Sequence, residues 1–313
     1  MTLCLVTGGA GFIGSSLCRA LVARGDRVRV IDNFSSGKRE NLADIADRIE
    51  LVEGDILDDR ALGRSIDGVE LVFHEAAIPS VPKSMAEPVE NHAANATGTL
   101  RVLEACRRAG IRRLVYAASS AAYGEDPALP KVETMPPAPI SPYGGSKLAG
   151  EQYAQIYARA YGVETVCLRY FNVFGPHQDP ASEYAAVIPK FITAALAGKQ
   201  PRIFGDGTQS RDFCYIDNVV EANFKAATAE ARAASGRVFN VACGQATDLN
   251  RVVALIGDFL GKKLAAIYED ERAGDIKHSW ADISAARGAL GYTAAVTFSE
   301  GLGRTIDWYK SRT

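Results

Sequence analysis

The chain has 313 residues, 47% of them hydrophobic and 23% charged, with a formal net charge of −2. This is an ordinary globular composition with ample material for a core. No block of Lys and Arg marks a nucleic-acid or membrane surface, and no apolar run approaches the roughly 20 residues that span a bilayer.

"MTLCLVTGG" runs straight into a strand-like segment without the basic flank and cleavage site of a signal peptide. Cysteines 4, 18, 106, 167, 214 and 243 form no C-x-x-C pair and sit mostly in apolar runs, which reads as reduced, buried thiols and no metal site. A cytoplasmic enzyme is expected.

Strand signals fall at 3–8, 27–32, 49–55, 69–77, 112–119 and 164–173, and helix signals at 12–24, about 88–109 and about 143–161. Alternating short β-rich runs and helices predict an α/β fold, a Rossmann-type doubly wound parallel sheet. Beyond 174 the pattern loosens, with helices near 185–197, 248–260 and 299–311 and short strands near 202–204, 213–216 and 238–242. The expected division is a dinucleotide-binding domain over 1–173 and a smaller C-terminal α/β substrate lobe over 174–313. Segments at about 213–242 are expected to return to the first domain.

"VTGGAGFIG" spaces Gly8, Gly11 and Gly14 by three and three between a strand and a helix. Such a loop allows a tight turn and close approach of backbone to a pyrophosphate, which then meets the helix N-terminus. Alone it also serves as a mere turn. Here Asp32 ends the second strand, where an acid binds a ribose 2′-OH and repels a 2′-phosphate, so NAD is expected rather than NADP. Asp55, after the third strand, is a second candidate contact, near adenine; a plain strand-ending turn explains it nearly as well.

"SPYGGSK" places Ser141 and Pro142 as cap and first residue of a helix, with Tyr143 and Lys147 four apart on one face. A phenol titrates near ~10, but a nearby ammonium, a helix N-terminus and an oxidised nicotinamide each favour the phenolate. Tyr143 is therefore a candidate general base. Gly144 and Gly145 are expected to permit close packing beside the cofactor. Ser119 and Ser120 end the fifth strand, where ligands of doubly wound sheets bind, although serine pairs also make turns.

The glycine loop, the strand-end serine and Tyr-x-x-x-Lys together resemble the extended short-chain dehydrogenase/reductase family. The similarity extends through "HEAAIPSVPKS", "LRYFNVFGP", "GDGTQSRDFCYIDN" and "RAGDIKHSWAD" and is strongest to its UDP-sugar 4-epimerases. The resemblance implies that Tyr143 removes the O4 proton as the C4 hydride passes to NAD. Ser119 would bridge the hydroxyl and the phenolate, and Lys147 would hold the nicotinamide ribose and lower the Tyr143 pKa. It adds Phe12, Ile13, Asn33, Ile56, Ala76, Ala77, Asn95 and Tyr170 as cofactor contacts. It also implies a homodimer through the helices near 88–109 and 143–161.

Related 4,6-dehydratases carry an Asp-Glu pair where this chain has Ser120 and Ala121, and decarboxylases a Glu where Ala121 and Ala122 stand. A non-catalytic NAD-sensing relative would lose the Tyr or the Lys. On the substrate side the resemblance implies Arg211 and Arg272 on the UDP phosphates, Asp275 on the ribose, Asn172 on the diphosphate or sugar and Phe204 near uracil. Ser279 stands where epimerases restricted to plain hexoses have Tyr. Together with Ser120, Gln178, Ala186 and Val187 it resembles the subgroup acting on UDP-GlcNAc and UDP-GalNAc. Pro79 departs from the strongly acetyl-preferring relatives, which have Gly, so plain hexoses stay open, as does UDP-glucuronate.

Overall fold

Seven strands make one fully parallel sheet: β1 Leu3–Thr7, β2 Arg27–Asp32, β3 Ile49–Glu53, β4 Leu71–His74, β5 Arg113–Ser119, β6 Glu164–Tyr170 and β7 Arg237–Val241. Their order across the sheet is β7-β6-β5-β4-β1-β2-β3. The central strands are buried on both faces, which is why "LCLVT" and "RLVYAAS" read as continuous apolar runs. The computed structural model describes residues 1–180, 186–271 and 276–312. Arg272 and Asp275 lie outside the described residues.

The main helices are α1 Phe12–Ala23, α2 Asp59–Ile66, α3 Gly98–Ala109, α4 Pro142–Tyr161, α5 Val187–Leu196, α6 Ile216–Thr228, α7 Leu249–Phe259 and α8 Phe298–Lys310. One core joins Leu17 and Leu21 of α1 and Val219 of α6 to Val6, Phe73 and Leu168 of the sheet. A second, on the other face, joins Leu62 of α2, Val102 and Leu103 of α3 and Ala154 and Tyr157 of α4 to Leu5, Val72 and Tyr116. Chain order reverses between β1 and β4, and that switch point opens a crevice at the carboxyl edge.

Two strand arginines close helix ends. Arg29 of β2 donates to the carbonyls of Ser65 (3.1 Å) and Asp67 (2.6 Å) beyond α2. Arg113 of β5 donates to those of Ala226, Ala227 and Ala229 at the end of α6. Each guanidinium satisfies carbonyls that the helix leaves without partners.

Two features differ from the sequence reading. Helix α2 is additional, and its signal was local: Asp58 caps it by accepting from the Arg60 and Ala61 N–H groups. The helix expected over 88–109 forms without a break, but a π-helical turn, Ala93–Thr97, stands inside it between Pro88–His92 and α3. The wide turn carries Asn95, whose side chain is buried.

Among the described residues of the C-terminal lobe, Ser210–Arg211 pairs with Thr247–Asp248 and with His278–Ser279, and Arg202–Phe204 pairs with Ile267–Glu269. Buried Asp212 ties this lobe together by accepting from the N–H groups of Cys243 (2.8 Å), Gly244 (2.9 Å), Gln245 (3.2 Å) and Ala281 (3.3 Å). No described helix is long and apolar enough to cross a membrane.

Candidate active site

A cleft of about 1290 Å³ opens along the carboxyl edge. Its floor is the glycine loop. Gly8 has φ +68°, and a Cβ there would lie 2.7 Å from the Ala76 backbone. A Cβ on Gly14 would lie 2.2 Å from the Gly8 carbonyl oxygen. The loop can therefore close only with glycine at these positions. Gly11 caps α1 without a side-chain bond, and no acid stands in the first turn, so the N–H groups at Phe12 and Ile13 are left for an anion.

Asp32 ends β2 at the cleft, its oxygens accepting from the N–H groups of Ala10 (2.9 Å) and Phe34 (2.8 Å). Burial pushes its carboxyl up and these two bonds draw it back. Asn33 donates to Asp55 at 2.7 Å, so the two candidate adenosine-side contacts touch. Ile56, Ala76, Ala77 and Tyr170 also line the cleft. Asn95 does not. Its side chain is buried behind the wall, where it accepts from the Ile78 N–H (2.8 Å) and donates to the Ile78 carbonyl (3.2 Å). It shapes the wall, bonded to Ile78, Asn91 and Ser146 behind it.

At the β5 end stand Ser119, Ser120 and Tyr143. Ser141 caps α4 by accepting from the Gly144 N–H (3.1 Å), and the Tyr143 N–H donates to the buried Ser84 hydroxyl (3.1 Å). Behind Tyr143, Ser146 donates to Asn91 (2.9 Å) and accepts from Asn95 (3.2 Å). The two glycines act differently from the expectation. A Cβ on Gly144 would come within 2.9 Å of the Ala121 carbonyl, so Gly144 lets α4 approach the turn after Ser119; a Cβ on Gly145 would meet nothing within 4 Å.

Ser119 stands beside the Tyr143 phenol in the cleft. Burial raises that phenol above its ordinary value, and Ser119 draws it part of the way back. In this cleft loss of water outweighs the draw of Ser119. Lys147 is buried with its ammonium 4.5 Å from the centre of the Tyr116 ring. Burial lowers it to about 8, against the opposing pull of Glu75, Cys167 and Glu151.

On the substrate side, Asn172, Gln178 and Ala186 line the cleft, and Val187 starts α5 beside Ala186. Asn172 donates to the Asp212 carbonyl (3.1 Å), and the Gln178 amide to the Val173 carbonyl (3.2 Å). Phe204, Arg211 and Ser279 stand outside the cleft wall, on the two small sheets of the C-terminal lobe. Arg211 and Ser279 are direct register partners, which brings an arginine beside a small side chain.

Residues 4–242 match the model of the NAD dependent epimerase/dehydratase family. The chain belongs to this NAD-dependent epimerase/dehydratase family. It is 38% identical over 312 residues to a UDP-glucose 4-epimerase of Mycolicibacterium smegmatis, covering 98% of each chain. Among solved structures, it superposes with TM-score 0.95 and 41% identity on a UDP-N-acetylglucosamine 4-epimerase from Methanobrevibacter ruminantium in complex with UDP-N-acetylmuramic acid, covering 100% of this chain and 99% of that one. A UDP-glucuronic acid 4-epimerase from Bacillus cereus, in complex with UDP-glucuronic acid and NAD, superposes with TM-score 0.91 and 32% identity, covering 100% of both.

The cofactor of this epimerase/dehydratase family member is NAD, and the uncapped α1 terminus, the glycine cradle and Asp32 fit it. Sequence reasoning passed over the far rim of the cleft. There Lys38 pairs with Asp179 (2.6 Å), the His177 ring lies 4.9 Å from Trp308, and Arg312 covers Trp308. These groups come from three distant parts of the chain, and no local pattern connects them. Glu75, in "HEAA", was passed over for another reason: a lone acid inside the 69–77 strand signal carries no motif of its own.

Proposed function

We propose that this enzyme of the UDP-sugar 4-epimerase kind interconverts UDP-GlcNAc with UDP-GalNAc, and also UDP-glucose with UDP-galactose. The observation that carries the reading is Ser279, a small residue register-paired with Arg211 at the edge of the substrate lobe. A tyrosine ring there would take the volume that a 2-acetamido group needs. Charge supports uncharged hexoses. Among the described residues the Lys and Arg that line the cleft are Lys38 and Arg312. Lys38 is paired with Asp179 (2.6 Å) and Arg312 covers Trp308, so both cations already have partners on the rim.

In this reading NAD accepts and returns the C4 hydride. Tyr143 takes the O4 proton, Ser119 bridges the sugar hydroxyl and the phenol, and Lys147 holds a ribose hydroxyl edge and offsets the phenolate charge. The 4-keto sugar turns over between the two transfers, so no second substrate is consumed. Arg211 contributes to holding the diphosphate, as does Arg272, and Asp275 meets the ribose; the last two lie outside the described residues.

The test is to incubate the protein with UDP-GlcNAc and UDP-glucose separately and resolve the C4 epimers. Both are expected to convert. The Ser279→Tyr variant is expected to lose turnover of the N-acetyl sugars and keep that of UDP-glucose. Unchanged turnover of UDP-GlcNAc by the variant would sink the gate, and conversion of UDP-glucuronate alone would overturn the substrate reading.

A homodimer through α3 and α4 completes the reading. The outer face of α4 exposes Tyr153 (39%), Ile156 (49%) and Tyr161 (56%), an apolar surface of the kind that pairing covers. Light scattering at micromolar concentration is expected to return twice the 33.4 kDa chain mass; a monomer mass would refute it.

A further inference from the structure

Glu75 follows β4 and shares the face of Phe73, two residues before it. Tyr170 ends β6, one strand beyond β5. The two meet across β5 because it carries Ala117 on that face, and this small side chain leaves room above the sheet. The Tyr170 hydroxyl donates to Glu75 Oε1 at 2.8 Å and accepts from the Asn223 amide of α6 at 2.9 Å. Glu75 lines the same cleft as Ser119, Tyr143 and Tyr170.

The other titratable groups around it leave it little compensation. Cys18 of α1 is a thiol that burial keeps protonated. His74 is held neutral, its pKa lowered to about 3 by burial. Its hydrogen bonds agree with that state. Thr99 spends its proton on the Asn95 carbonyl, so His74 Nε2 donates to Thr99 and Nδ1 accepts from Thr7. Tyr143 is a phenol raised by burial. Lys147 of α4 is the cation that acts on Glu75, and burial nonetheless pushes the Glu75 carboxyl up to about 7. A carboxylate with one hydrogen-bond donor in such a place is costly unless positive charge arrives beside it.

NAD brings such a charge when oxidised and loses it when reduced. We propose that Glu75 is the counter-charge of this active site: its carboxylate, held by Tyr170, which Asn223 holds in turn, favours the oxidised over the reduced form of the bound dinucleotide. The inference rests on the cofactor and not on the identity of the sugar. It gives the chain a means of disfavouring the reduced, abortive form between turnovers.

The sign follows from the ionisation. Glu75 is charged above its pKa, so preference for NAD over NADH must rise as the pH passes upward through neutrality. A difference of about one unit between the Glu75 pKa in the two complexes corresponds to about a tenfold change in that preference. Lys147, losing its proton near the top of the same range, adds a rise of the same sign, which a Glu75→Gln variant would retain.

The experiment equilibrates the holoenzyme with mixtures of NAD and NADH from about pH 5.5 to about pH 8, removes free nucleotide and measures the bound ratio. No sugar is present, so the result is independent of the substrate reading. The native enzyme is expected to gain about tenfold in preference for NAD over that range, and Glu75→Gln to lose most of the gain. Should the Gln variant fail to fold, Tyr170→Phe tests the same point. It removes the bond that favours the ionised carboxylate, and the rise is expected to move to higher pH. A native ratio independent of pH, an unchanged rise in Glu75→Gln, or an unmoved rise in Tyr170→Phe would each overturn the proposal.

Discussion

A Tyr143→Phe enzyme is expected to lose about 10²–10⁴-fold in kcat, the range that removal of a positioned acid–base group produces. It should keep its fold and its bound NAD. The substitution deletes one oxygen, and the backbone anchors of the residue remain: the Tyr143 N–H still reaches Ser84, and the Ser141 cap still holds the helix start. The pH dependence adds a second readout. A base acts in its deprotonated form, and burial raises the Tyr143 phenol above its ordinary value. Native turnover should therefore climb with pH through the neutral range. Lys147, at about 8, limits the climb as its ammonium is lost. Any residual turnover of the Phe variant should lack the Tyr143 limb. The check is a pH series of product analysis, with circular dichroism and bound-nucleotide content as controls. Full turnover by the variant would remove Tyr143 from the mechanism.

The second large effect is structural. Glu151 continues the Tyr143–Lys147 face of α4, four residues on, and makes a two-pronged ion pair with Arg169 of β6 at 2.6 and 2.8 Å. The two side chains are only 4% and 3% exposed. Arg169 also lies 4.6 Å from the Tyr123 ring centre, and its Nη1 has no hydrogen-bond partner. Glu151→Ala would leave a guanidinium buried without its counter-ion, at a cost of about 3–5 kcal/mol. Replacing both, as Glu151→Leu with Arg169→Met, should recover most of that loss, since the desolvation of both charges disappears with them. Denaturant unfolding of the native chain, the single variant and the double variant measures this directly. A single variant within about 0.5 kcal/mol of native stability would show that the pair is not buried as described. The pair also couples fold to function, because it fastens the helix bearing Tyr143 and Lys147 to the strand that ends in Tyr170.

The legible parts of this protein are those that local chemistry encodes. The seven-strand parallel sheet needs runs buried on both faces, and such runs stand out in sequence. The glycine cradle, the Asp32 position and the "SPY" helix start each answer a constraint within a few residues, where turn, cap and periodicity act. Helix α2 was passed over although its Asp58 cap lies in plain view. The helix over 88–109 was legible, but not its π-helical turn, where Asn95 meets Ile78 and Ser146 from far along the chain.

By itself, then, the sequence determined the α/β architecture, the dinucleotide loop and the pairing of a phenol with a lysine one helical turn apart. Only the tertiary structure decided the charge states. Whether Tyr143 is raised or lowered and whether Lys147 stands near 8 depend on how much water the packed walls exclude, and the pairing of Glu75 with Tyr170 depends on strands that meet only in the sheet. Desolvation is a property of the assembled surroundings and has no signature in the order of residues along the chain.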